Sequence, residues 1–487
     1  AVDRDVDARK GATVTPGSPV IREVAHHRLR VILAARGDWR RRKVQGEETV
    51  EVPVDPPRDV VDALMGAARW SSVRPLVGVT ETPTLRADGS ILDVSGYDPT
   101  TGIVFSPPAG LVFPKVDKVD RSECKRARYA LEEVLGDFPF GGPAHLSVAV
   151  AAMLTAVGRF GIEGPTPLFL FDAHTPGAGK GLLADVVSVL CTGRRAPVIA
   201  IRDDTETEKR ITAHLCSGKR VILLDNVAGA FGGPALDAAL TADVWAGRVL
   251  GQSMLVEVPN RATWIATGNN VAIRGDLARR TLRCYLDVET ERPEERAGFA
   301  HPDLVGYVRA HRGRLVSACL TILRAYAEAG RPALGLSPMG SFGEWSRSVR
   351  SALVWSGMVD PCETQTEIRE GADRDLDAWS TVLETWFALH RSTPITVPDV
   401  IDDLSRQVFD SVTDDATTEH RKALKEALVE LAGGRTGELN PRRVGWILSK
   451  YRSRIVGGFR LVRGKKGSAG RKWIVETLNN VRERSRS

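Results

Sequence analysis

Hydrophobic and polar positions change their rhythm several times along the chain. HHRLRVILAAR, near residue 26, fits a short helix, and Pro53, Pro56 and Pro57 then break the pattern as a linker would. TLR and ILD alternate around Asp88-Gly89, and a second turn at Asp98-Pro99 with Gly102 follows, so a β-hairpin region is expected before SPPAGLVFPK closes it near residue 115. From Ser122 the period lengthens. RARYALEEVLGDF and AHLSVAVAAMLTAVGRFGI predict helices, the second apolar enough to be buried. Apolar runs then alternate with helical stretches to about residue 290: LFLFDA, LLADVVSVLCTG, APVIAI, EKRITAHLC, RVILLDN, PALDAALTADVWA, RVLG with MLVEVPN, and ATWIATGNN. That alternation predicts an α/β domain with a largely parallel sheet. Residues 301–390 are helix-rich, and a further unit is expected from about Thr393.

The composition of the 487 residues is that of a folded chain, 43% hydrophobic and 26% charged. No apolar run approaches the roughly 18 residues of a membrane helix, so no membrane span is expected. The polar start AVDRDVDARK is not a signal peptide and lacks an initiator Met, which suggests a processed or excised chain in the cytoplasm. Cys124, Cys191, Cys216, Cys284, Cys319 and Cys362 form no CxxC or Cys/His cluster, so reduced, packing cysteines are expected. The charge is unevenly spread. Asn440–Ser487 carries 14 Lys or Arg against 2 acids, although the whole chain is only +6. A basic end on a slightly acidic body points to nucleic acid. The other basic run, Arg40 to Lys43 after Trp39, is nearly balanced by Asp38, Glu47, Glu48 and Glu51 and is expected to be a surface segment.

The chemistry concentrates in LFLFDAHTPGAGKGLLADVV. An apolar strand leads through a Gly-rich loop into a helix, which is how backbone N–H groups and a helix N-terminus come to cradle phosphates. Thr175, Pro176, Gly177, Ala178, Gly179, Lys180 and Gly181 form the candidate nucleotide-binding loop, with Lys180 reaching the β- and γ-phosphates of ATP. His174 stands where the motif's first Gly would be, and Gly181 where a Ser or Thr would hold Mg²⁺. Thr175 is the nearest loop hydroxyl.

A second strand, VILLDN, ends in Asp225, the candidate metal ligand. Asn226 occupies the place of the usual water-polarising Glu, so either Asn226 positions water or another carboxylate helps. Asp203, Asp204, Glu206 and Glu208 are candidates, though acids also suit a solvated helix N-terminus. ATWIATGNN ends in Asn269 and Asn270, placed to meet a γ-phosphate or a lytic water. Arg279 and Arg280 follow in RGDLARR.

PGAGKGLLAD, VILLDNV, ATGNN and GDLARR together resemble AAA+ replication helicases of phages and integrating mobile elements, including the primase-associated and minichromosome-maintenance-like self-loading types. The resemblance extends over about 75–477. It implies an AAA+ P-loop core with an N-terminal mixed α/β domain and a C-terminal winged helix. The expected boundaries are 1–115, 116–300 for the ATPase core, 301–392 for a helical lid, 393–477 for the winged helix and 478–487 for a basic tail. It also implies a ring, usually a hexamer, hydrolysing ATP with Mg²⁺ and walking on DNA, 3′ to 5′. In that family Asn269 would be the first sensor, and Arg280 or Arg279 a finger acting on a neighbouring subunit's nucleotide.

Arg248 and Gln252, on a hairpin pairing Arg248–Leu250 with Met254–Val258, would then meet single-stranded DNA in the pore. NPRRVGWILSKYRSRIV predicts a helix capped by Asn440, apolar at Val444, Ile447, Leu448 and Tyr451, and basic at Arg442, Arg443, Lys450 and Arg452. GGFRLVRGKKGSAGRKWIVE predicts a two-stranded wing carrying Lys465, Lys466, Arg471 and Lys472 toward duplex phosphates. A second reading is a DNA-binding initiator or loader whose degenerate ATPase serves assembly only.

Overall fold

A computed structural model of the chain describes residues 2–3, 19–21, 24–67, 73–117, 119–199, 204–227, 230–248, 255–273, 275–288, 290, 292–405, 415–432, 438–467 and 470–477. They divide into two compact units, Ala1–Gln365 and Thr366–Ser487.

The first unit is built on five parallel strands: β1 (Leu168–Ala173), β2 (Val198–Ile199), β3 (Val221–Val227), β4 (Thr263–Asn269) and β5 (Thr281–Leu286). Their spatial order is β2-β3-β4-β1-β5. Every residue of β1 is buried, as a parallel sheet covered on both faces requires. The two-residue period of the strands sorts their side chains. Phe169, Phe171, Leu223 and Ile265 pack into one core, and Leu168, Leu170, Ile222, Trp264 and Ala266 into the other.

The first core is closed by helices α1 (Arg121–Leu135), α2 (Pro143–Gly158) and α3 (Lys180–Thr192). The second lies under α4 (Asp204–Cys216) and the short helix Pro234–Ala239. A fifth long helix, α5 (Arg312–Glu328), packs on the α1–α2 side. Asp120 caps α1 through the amides of Ser122 and Glu123, and Pro143 starts α2 at its first turn, where a missing N–H costs nothing.

One expectation needs correcting. The stretch Pro143–Gly161 is long and apolar enough to cross a membrane. However, 83% of it is buried inside the protein, between the sheet and α1, α3 and α5. Its unbroken apolarity follows from being surrounded by core.

Ahead of the core, Thr84–Leu85 pairs with Ile91–Leu92, and Gly96–Asp98 with Ile103–Phe105, across the two turns read from the sequence. Thr84 ties this region to α2 by donating to the Val157 carbonyl at 2.7 Å. Trp39 precedes the strand Arg40–Gln45, which pairs with Glu48–Pro53 as a hairpin with every residue of its first strand exposed.

The second unit has its own core, in which Trp379, Val382 and Trp386 meet Val444, Ile447, Leu448, Leu461 and Trp473. Helices Val397–Ser405 and Asp415–Ala432 and α6 (Pro441–Lys450) pack on an antiparallel sheet led by the strands Phe459–Gly467 and Gly470–Thr477.

Candidate nucleotide-binding site

Strand order brings the separated motifs together. The loop strand β1 and the acid strand β3 are not neighbours; β4 runs between them. Ala173 therefore stands beside Asn269, and Leu224 beside Ala266. All three strands run parallel, so their carboxyl ends open on one side, the usual place for a ligand in such sheets. A cavity of about 330 Å³ lies there, lined by residues 176–181, Asp225, Asn226, Thr267, Gly268 and Asn269.

The loop turns at Gly177 (φ 78°) and Gly179 (φ 95°), both in the left-handed region that glycine tolerates. A Cβ at Gly179 would also sit 3.1 Å from the Phe138 ring. His174 needs no positive φ. Its ring lies beside Tyr285, with Nδ1 3.4 Å from the phenol oxygen, which is why a glycine is dispensable there.

Lys180 opens α3, and its ammonium donates to the Thr175 carbonyl at 2.9 Å and to Asn269 Oδ1 at 2.7 Å. Burial pushes the ammonium below the ordinary lysine range, and the nearby Asp172 charge opposes that shift. Thr175 Oγ1 is buried without a hydrogen-bond partner among the described residues. Gly181 faces open space on its Cβ side.

Asp225 and Asn226 sit on an irregularity in β3, where the register with β4 shifts between Leu224 and Val227. Asn226 is in the left-handed region at φ 52°. Such bulges re-aim side chains beside sites. Thr267 on β4 binds this kink at two points. Its hydroxyl donates to Asp225 Oδ1 and accepts from the Asn226 amide at 3.1 Å.

Among the described residues, no three His, Cys, Asp or Glu side chains are grouped to hold a metal ion. Asp225 is the carboxylate lining the cavity. A Mg²⁺ there would take its remaining ligands from phosphate oxygens, water and hydroxyls, as this cation commonly does.

The remaining candidates fall elsewhere. Asp204 accepts from the Ala235 amide at 3.1 Å, and Glu206 pairs with Arg210 at 3.1 Å. Neither lines the cavity, nor does the exposed Glu208. Asp203 lies outside the described residues. Asn270 adopts φ 48° and donates its amide to the Ala173 carbonyl at 3.0 Å, fastening the turn after β4.

Arg279 and Arg280 also lie away from this chain's own cavity lining. Arg280 is held inward by the Asp237 carbonyl at 2.6 Å and the Asp237 carboxylate at 3.2 Å. Arg279 is 62% exposed and pairs with Asp276, three residues before it, at 2.8 Å.

Sequence reasoning missed Asp172. This fully buried carboxylate, one residue before the end of β1, accepts from Arg283 Nη2 at 2.6 Å and from the Val271 amide at 3.2 Å. It links the loop strand, the turn after β4, and β5. The signal was a charged residue inside the apolar run LFLFDA, which only a buried partner makes tolerable.

The candidate DNA contacts divide. The hairpin before β4 starts earlier than its sequence suggested. Helix Pro234–Ala239 is short, and Val244–Arg248 pairs with Leu255–Pro259, Arg248 standing opposite Leu255. Trp245 is the reason, since the burial of its ring against α4 draws these residues into a strand; its indole donates to Thr212 at 2.9 Å. Arg248 is exposed as the last residue of its strand, and Gln252 lies outside the described residues.

In the second unit, Asn440 Oδ1 caps α6 through the amides of Arg442 (2.9 Å) and Arg443 (3.4 Å), and both side chains are exposed. Val444, Ile447, Leu448 and Tyr451 form its buried face. Trp446, 47% exposed, shares the basic side. Arg452 and Arg471 are exposed and Lys472 half-buried. Arg463 between them is held below the usual arginine range by desolvation and then by the charges of Arg452 and Arg471, a sign of crowded cations. The side chains of Lys450, Lys465 and Lys466 lie outside the described residues.

No family model matches the chain, and no curated protein does. Among solved structures it is similar to an apo form of the NrS-1 C-terminal region, at 12% identity and TM-score 0.35, covering 92% of this chain and 98% of that one. It is also similar to JCV helicase with a bound small molecule, at 14% identity and TM-score 0.22, covering 49% of this chain and 68% of that one. At these scores neither likeness extends to a residue or an activity.

Proposed function

We propose that the chain is an ATP-driven DNA helicase of a phage or mobile element, acting as a ring, with a hexamer as the expected form. The observation that carries this reading is the meeting of Lys180, Asp225, Asn226 and Asn269 around one Gly-rich loop, although the sequence spreads them over ninety positions. In this reading the amides of residues 177–181 and the Lys180 ammonium hold phosphate oxygens. Asp225, oriented by Thr267, takes the metal. Asn226 and Asn269 orient water. Magnesium-bound ATP supplies the phosphoanhydride bond whose hydrolysis drives movement.

Thr175 and Gly181 suit the bound nucleotide. One offers a buried hydroxyl without a partner and the other leaves room. Arg279, more exposed than Arg280, is the better placed of the two to reach another subunit's nucleotide and stabilise transition-state charge. The second unit, with its capped basic helix and two-stranded basic arm, reads as a winged helix on duplex DNA. The hairpin that carries Arg248 reads as a contact to single-stranded DNA.

The test is ATP hydrolysis with and without single-stranded DNA, beside Lys180→Ala and Arg279→Ala. DNA-stimulated turnover lost in both variants is the expected result. A wild-type chain that binds ATP and DNA yet turns nothing over would instead favour the initiator or loader, the reading that Asn226 and Gly181 support.

A further inference from the structure

We propose that the first unit carries a second anion site, at the opposite end of α3 and β3 from the nucleotide loop, built to take a phosphate group. A cavity of about 170 Å³ lies beside the last turn of α3 and the start of β3, with Glu81, Arg194, Arg195, Lys219 and Arg220 in its lining. Helix α3 alone separates it from Lys180 by roughly 20 Å at 1.5 Å per residue.

The charges of this pocket do not balance. Arg194 is matched by Glu81 and Arg195 by Asp185, the latter at 3.2 Å. Among the described residues, no carboxylate is paired with Lys219. Arg220 stacks on Phe160 at 4.2 Å and gives Nη2 to the Ala156 carbonyl at 2.9 Å. Among the described residues its Nε and Nη1 are buried with no acceptor, a cost the fold bears unless a ligand supplies one.

The end of a helix normally repels anions, but here a cation sits on the last carbonyls. The buried Arg312 guanidinium donates to the Leu190 and Cys191 carbonyls at 3.0 and 2.9 Å. Burial, and then the charge of Arg194, depress the Lys219 ammonium. A bound anion would relieve both. The cavity is well below the roughly 300 Å³ at which sites for larger organic ligands begin. It suits one tetrahedral anion held by guanidinium and ammonium donors.

This site is independent of the helicase reading, and its test separates the two. Inorganic phosphate is titrated calorimetrically into the full chain at constant ionic strength, using Lys180→Ala to remove the nucleotide loop's share. Binding is expected to persist in Lys180→Ala. It should weaken roughly tenfold or more when Lys219→Gln is added. Arg195→Ala, at an exposed position, should weaken it in the same direction. Loss of all phosphate binding with Lys180→Ala, or binding indifferent to both Lys219→Gln and Arg195→Ala, overturns the proposal, as does a wild-type chain that binds none. Adding a short single-stranded oligonucleotide to the Lys180→Ala chain identifies the source. Displacement of phosphate marks a nucleic-acid phosphodiester as the natural occupant, and no displacement marks free phosphate or a phosphomonoester.

Discussion

Lys180 and Asn269, 89 positions apart, are joined by a 2.7 Å hydrogen bond from ammonium to amide oxygen. The same ammonium also holds the loop carbonyl of Thr175. Asn269 thus occupies one of the donor directions that a terminal phosphate would claim, and phosphate arrival must release it. Replacing Asn269 by Ala leaves Lys180 and the loop in place. The expected result is nucleotide affinity within a few-fold of wild type and kcat lowered roughly 10²-fold, the size seen when one preorganised polar group is lost. Equilibrium nucleotide binding beside steady-state hydrolysis checks the split. An equal loss in both would place Asn269 in binding instead.

Gly181 stands at a helix start, and among the described residues nothing lies within 4 Å of an added Cβ. Gly181→Ser is therefore expected to fold normally, and it removes a glycine from the first turn of α3. The new hydroxyl supplies a metal ligand. Hydrolysis should saturate at lower Mg²⁺ concentration than in wild type, read from its Mg²⁺ dependence. An unchanged dependence would mean that another hydroxyl already serves.

Asp172 and Arg283 form an ion pair whose carboxylate is fully buried. Asp172→Ala strands the guanidinium and frees the Val271 amide that holds the turn after Asn269. A loss of about 3 kcal/mol is expected from breaking such a buried pair, measured by urea unfolding. Hydrolysis should fall as well, because the turn carrying Asn269 and Asn270 loses its anchor. A stable but inactive variant would separate the two effects.

Acid should unfold the chain partly through His214. Burial, then the charges of Lys219 and Arg210, hold its imidazole below the ordinary value of 6.5, and among the described residues its buried Nδ1 has no partner. The folded state keeps this ring neutral while the unfolded chain protonates near 6.5. Stability is therefore full above that pH and declines as pH falls through the window below it, by up to about 1.4 kcal/mol per pH unit. His214→Gln should flatten that part of the unfolding-midpoint profile between pH 7 and 5. A profile identical to wild type would assign the decline to other groups.

Arg442 and Arg443 are exposed in the first turn of α6, anchored through their backbone by Asn440. The double change to Ala should leave the second unit folded, since Val444, Ile447 and Leu448 face the other way. Duplex affinity should drop, and the slope of log K against log salt should flatten by about two if both contact phosphates. Loss concentrated on one sequence, with the slope unchanged, would mark base contacts.

Much of this was legible in the chain itself. Period-two and period-3.6 patterns named the strands and helices because burial imposes those periods directly on apolar residues. Gly177 and Gly179 were legible as turn positions because a Gly-rich loop needs local backbone freedom next to the helix that Lys180 opens. Asn440 was legible as a cap for the same reason, since capping is decided within three residues.

Strand order was not written locally. Only pairing in three dimensions puts β4 between β1 and β3, and with it Asn269 against Lys180 and Thr267 against Asp225. The inward tether of Arg280 on Asp237, the Asp172–Arg283 pair across 111 positions, and the strand start at Val244 share that origin. So does the pocket at the far end of α3, where Glu81, Arg194 and Lys219 meet from three separate stretches. Sequence determines which residues can carry a charge, a turn or an apolar face. Tertiary structure decides which of them share a low-dielectric neighbourhood, and a charge pair or a binding site exists only there.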